Sequence, residues 1–141
     1  MTSLFNTFLS DLSSIKDSSN PTFGFKERMK LERTLFIILN ILVKEFLSFT
    51  LLGFSEQHKD EILEKIKEQG GNKNLETLIS KIFDLKFTLQ ALSNESAYVR
   101  GDTLSKLDVN RKSVFKLIEV NIISIKQAII NTSKSDEFKE N

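Results

Sequence analysis

The chain has 141 residues, 28% charged and 40% apolar, with Lys plus Arg at 20 and Asp plus Glu at 19 for a net charge of +1. That length suits one domain with a substantial core, and ordinary apolar content with balanced charge argues against disorder. With no Cys and a single His, disulfides, thiol catalysis, Cys-based zinc sites and His-rich metal sites are excluded, and nothing draws the whole chain to nucleic acid or membrane.

Helical periodicity runs through the sequence, and no stretch alternates as a strand would. Leu4, Phe5, Phe8, Leu9, Leu12 and Ile15 form a stripe at three- and four-residue steps, which predicts a first helix from Ser3 to about Lys16. Asp17 to Gly24, with Pro21 inside it, reads as a turn or short linker. A second helix is predicted from Phe25 to Leu52, roughly 40 Å long at 1.5 Å per residue. It is charged in its first turns and apolar almost all round after Thr34, the pattern of a long central helix, with Gly53 as its stop. The uncharged runs on either side of Lys44 and Glu45 are too short for a membrane span.

A third, peripheral helix is predicted from Ser55, its cap, to Gln69, ended by Gly70 and Gly71. The fourth runs from about Asn74 to Leu92, with Leu75, Leu78, Ile82, Leu85, Leu89 and Leu92 as a seam that Ile79, Phe83 and Phe87 widen. Polar residues from Ser93 to Val109 predict a loop with one helical turn at most. The last helix then runs from Asn110 to Asn131 on a seam of Phe115, Ile118, Ile122, Ile125 and Ile129. The expected architecture is an all-α antiparallel bundle of four to five helices over residues 1–131, followed by a polar tail at 132–141. No basic segment followed by a long apolar one opens the chain, so a cytoplasmic setting is expected. Two glycosylation patterns, at Asn94 and Asn131, would matter only in a secreted chain. The same holds for the integrin-type tripeptide Arg100-Gly101-Asp102.

The chemistry is mostly excluded. His58 opens a charged peripheral helix and reads as a solvated surface residue, and nothing nearby supports a catalytic triad built on it. No Glu-x-x-His pair and no phosphate-binding glycine loop occur, and no cofactor or metal is expected. Asp102 to Glu119 has the look of a helix-turn-helix segment, with a turn at Val109-Asn110. Arg111, Lys112 and Lys116 would then face phosphates or base edges, with Arg100 as a further anion contact. Asp108, standing where glycine is usual, and a turn one residue short depart from that pattern.

A long helix containing Leu31-Glu32-Arg33-Thr34-Leu35, a short charged helix, the run Asn72 to Ile79, and a break at Glu95 to Gly101 before a final amphipathic helix together resemble the HEPN superfamily of helical bundles. That resemblance implies a toxin–antitoxin or phage-defence type of setting. Ribonucleases of that superfamily carry an Arg-(Asn/Asp/His)-x-x-x-His motif near the last long helix. Here Glu95 stands at the Arg position, Ser96 at the polar position and Arg100 at the His position. Both catalytic side chains are missing, and Arg100 stays protonated at neutral pH, so it cannot act as a base. An RNA-cleaving use of Arg100 and Tyr98 is correspondingly disfavoured. The sequence therefore predicts a non-enzymatic module that binds a protein partner or a second copy of itself, with Tyr98 and Asp102 as a partner-binding loop. Nucleic-acid binding is the alternative.

Overall fold

The computed structural model describes the backbone of residues 2–16, 25–98 and 102–132 and the side chains of residues 3–15, 25–90 and 115–131. Its elements are α1 (Thr2–Lys16), α2 (Phe25–Leu47), α3 (Glu56–Glu68), α4 (Lys73–Tyr98) and α5 (Asp102–Thr132). No strand occurs among the described residues. Four helices close a ring: α1 packs on α2, α2 on α4, α4 on α5 and α5 on α1. The third helix, α3, stands outside the ring against α4 and, more lightly, against α2.

Neighbours in the ring run antiparallel. Lys30, early in α2, reaches Asp11, late in α1, at 3.4 Å. Glu32 feels the charge of Lys86, past the middle of α4, while the Leu47 carbonyl at the end of α2 accepts from Gln69 Nε2 at 3.4 Å, just ahead of α4. Lys81 and Asp84 of α4 share a cleft with Asn121 and Ser124, late in α5. The all-α bundle expected from the periodicity is thus present.

The apolar seams meet on the axis of this ring. Phe5, Phe8 and Leu12 enter from α1; Leu35, Ile38, Leu39 and Leu42 from α2; Leu78, Ile82, Phe83, Leu85 and Leu89 from α4. Phe115, Ile118, Ile122, Ile125 and Ile129 complete the core from α5. Burying five or so apolar side chains per helix supplies tens of kcal/mol against chain entropy, at about 1.5–3 kcal/mol each. Only Ile62 and Ile66 of α3 are fully buried, as its polar sequence requires.

Three expectations need correction. First, α2 ends at Leu47, not Leu52. Ser48 donates its N–H to the Lys44 carbonyl at 3.2 Å and takes φ of 56°, in the left-handed region. That turn breaks the helix and lets Leu51 fold back into the core, where its N–H donates to Asn40 Oδ1 of α2 at 3.1 Å. Phe54 follows and packs edge-on against Phe83 of α4 at 5.0 Å. Burying Leu51 and Phe54 across α2 and α4 outweighs the extra helical turn that the apolar run suggested.

Second, a long central α2, apolar all round, is not confirmed. The helix packs on α1, α4 and α3, and its outer side carries exposed Lys26, Arg33, Ile37 and Lys44. Third, the backbone is helical from Ser93 to Tyr98 and continuously from Asp102 to Thr132. The polar residues there are weak helix formers rather than breakers, and the turn expected at Val109-Asn110 is absent. The tail residues 133–141 lie outside the described residues.

Gly70 and Gly71 end α3 with φ of 97° and 81°. The Gly71 N–H reaches back to the Ile66 carbonyl at 2.9 Å, the six-to-one closure of a Schellman turn. Asn72 then caps α4 by accepting the Leu75 N–H on Oδ1 at 3.1 Å.

A non-glycine residue in the left-handed region costs about 1 kcal/mol. Ser48→Gly should therefore stabilise the fold by a few tenths to about 1 kcal/mol, read as a rise in urea midpoint with unchanged slope. A lower midpoint would mean that the α2 terminus is not held as described.

Candidate functional site

The side chains of Tyr98, Arg100, Asp102, Arg111 and Lys112 lie outside the described residues. Lys116 is described, and it is exposed on the outer side of α5. Because α5 is one helix across the segment, Arg111, Lys112 and Lys116 cannot form a recognition helix set off by a turn. A nucleic-acid reading is left to stand on charge alone.

His58 is half-buried at the start of α3 rather than solvated. The Ser55 N–H donates to its Nδ1 at 3.2 Å, and Ser55 Oγ lies 2.6 Å from the same nitrogen. The imidazole therefore plays the part that Glu plays in a capping box, satisfying an otherwise orphan backbone donor. It lies against Gly53, where an added Cβ would fall 2.7 Å from Nε2. Gly53 is needed for that close approach, not as the stop of α2. Sequence reading missed this because the S-x-x-E signature appears here with His at its last position.

A second polar group lies between α2 and α4. Arg28 Nε stands 4.0 Å from Glu32 Oε2, and the Glu32 side chain is only 12% exposed. Arg28 Nε and Glu32 Oε1 are both buried without a hydrogen-bond partner. Lys86 is 9% exposed, and its ammonium lies over the rings of Phe54 and Phe87 at 5.6 and 5.0 Å. The aromatic faces carry part of the charge that water would otherwise solvate. Burial pushes the Glu32 carboxyl above its ordinary value of 4.5, against the opposing pull of Arg28 and then Lys86. The trio brings a carboxyl and two cations together without a nucleophile or an imidazole. Among the described residues no group of three or more His, Asp or Glu side chains could hold a metal ion.

The surfaces of α3 and α5 differ sharply. Eight residues of α3 are exposed, and seven of them are charged. Eight described residues of α5 are also exposed, and only Lys116 among them is charged. Leu117, Val120 and Ile123 stand on that α5 face at 53%, 52% and 43% exposure. Val120 sits opposite the buried seam, with Leu117 and Ile123 about 60° to either side at 100° per residue. Ser124 and Gln127 fill the space between. In a chain that is 28% charged, a nearly uncharged exposed face of this kind is suited to covering by a partner. No helix among the described residues is long and apolar enough to cross a membrane.

No protein-family model, curated protein or solved structure matches the chain.

Two measurements follow. Gly53→Ala should displace the imidazole and forfeit the cap, at about 1 kcal/mol, the same loss as His58→Ala. In the double variant the two losses should not add; full additivity in a denaturant cycle would show that Gly53 and His58 act separately. The raised carboxyl of Glu32 contributes stability that is full below 4.5 and lost as pH climbs through its folded value. Glu32→Gln removes that ionisation, so the variant should gain on the parent as pH rises above the ordinary carboxyl value of 4.5 in urea titrations. A difference that is flat with pH, or that falls, would contradict the burial cost.

Proposed function

We propose that the chain is a non-enzymatic helical interaction module that works through protein contacts on the outer face of α5, and that a second copy of the chain is the partner. The observation behind this reading is the nearly charge-free stripe of Leu117, Val120 and Ile123. A two-fold interface brings the same patch of each copy together, so it favours a patch without like charges. If two α5 helices pack antiparallel about Val120 and Ser124, their Lys116 residues fall at opposite ends of the contact. The ring behind α5 holds the stripe rigid, which lowers the entropy lost on association.

The order of helices supports placing the module among HEPN-like bundles, as a member without the Arg/His pair, in a toxin–antitoxin or phage-defence setting. That placement rests on element order and is separate from the α5 interface.

Sedimentation equilibrium from micromolar to several hundred micromolar should show a reversible dimer. Val120→Glu should weaken it by about tenfold or more, with an unchanged helical spectrum and melting curve. A parent that stays monomeric throughout, or a Val120→Glu variant that dimerises as well as the parent, would overturn the reading.

A further inference from the structure

The segment after α2 and the outer face of α3 enclose an open trough of about 610 Å³. One wall is apolar. Phe49 is half-buried in it, and Leu52 projects with 89% of its surface exposed. The backbone that carries them is anchored on both sides: Leu51 between them is pinned to Asn40, and Phe54 just beyond is wedged between Phe36 and Phe83. The other wall is one stripe of α3, with Asp60, Glu61, Glu64 and Glu68 set against Lys65 alone. Lys65 is itself engaged by Glu68 at 3.6 Å. The trough thus carries a local charge of −3 (four carboxylates, one ammonium) in a chain whose total is +1.

We infer that this trough docks a short basic and apolar segment of a partner protein. An apolar anchor would bury Leu52 and Phe49, and Lys or Arg side chains would lie opposite Asp60, Glu61, Glu64 and Glu68. The commitment to a basic partner comes from charge complementarity: the acidic rim repels phosphates and acidic peptides, and its sign selects cations. The apolar wall asks for more than a free cation, since only an apolar side chain gains by covering Leu52. The stripe from Gln57 to Glu68 spans about 16 Å, which an eleven-residue amphipathic helix would match. The trough lies on α3 and the preceding segment, so it goes beyond the α5 reading and does not depend on it.

The probe is a fluorescein-labelled eleven-residue peptide of leucine and lysine, amphipathic as a helix, titrated with the full chain and read by anisotropy. Binding should weaken with rising salt. Leu52→Ser and the surface pair Glu61→Lys/Glu64→Lys should each weaken it about tenfold, with melting curves close to the parent's. A control peptide with serine for leucine should not bind, and Val120→Glu should bind as the parent does. No binding, equal binding by the Leu52→Ser or charge-reversed proteins, or equal binding of the serine control would each overturn the inference. Competition by millimolar Ca²⁺ with no effect of Leu52→Ser would reassign the carboxylates to a cation. Self-association lost in Leu52→Ser would reassign the trough to a second copy.

Discussion

Everything in this molecule depends on four apolar seams being drawn to a single dry axis. Each ring helix has one stripe that water rejects, and a closed ring of four lets every stripe face the others. The ring fixes what the remaining pieces can do. With the axis already filled by Phe8, Leu39, Phe83 and Ile122, α3 has no place inside and becomes a strut held by Ile62 and Ile66. The segment between α2 and α3 must likewise make its own way back. It does so by turning at Ser48 and dropping Leu51 and Phe54 into the junction of α2 and α4.

That junction shows how the core governs the polar chemistry around it. The rings of Phe36, Phe54, Phe83 and Phe87 form a chain of tilted and edge-on contacts across α2 and α4. The Lys86 ammonium rests on two of them, and Glu32 and Arg28 lie nearby on α2. A charged group in such a place gains partial compensation from ring quadrupoles and opposite charges, at a cost in desolvation that the raised carboxyl of Glu32 records. The surface then divides by function of position. The strut α3 is charged nearly all over its outer side, whereas α5, a wall of the ring, offers oil and small polar groups. Leu52 and the trough beside it exist because the chain leaves α2 early.

The seams were legible in the sequence. Leu75, Leu78, Ile82, Leu85 and Leu89, and Phe115 through Ile129, lie in the core where three- and four-residue spacing put them, because that spacing depends only on helix geometry. The end of α2 was not legible. Phe46 to Phe54 is uncharged and mostly apolar, and a left-handed Ser48 leaves no trace in residue type. The helical run through Ser93 to Tyr98 was missed for the opposite reason: Ser and Asn suggest a loop, but their propensity cost is a few tenths of a kcal/mol each, small against burial elsewhere on the same helix. The cap role of His58 was hidden by an unusual residue at a familiar position. The α5 face was passed over too: Leu117, Val120 and Ile123 lie outside the 3-4 seam, and the structure shows them exposed on the side away from the ring. Tyr98, Arg100, Asp102, Arg111 and Lys112 were singled out by motif-like spelling, and their side chains lie outside the described residues.

One shared core holds the four ring helices, with α3 outside it. Native-state hydrogen exchange tests this most directly. The slowest amides of α1, α2, α4 and α5, at residues such as Phe8, Leu39, Phe83 and Ile122, should all open with the free energy of global unfolding, while those of α3 open at lower cost. If α3 proves as protected as the ring, or if one ring helix exchanges independently of the other three, the shared-core account is wrong.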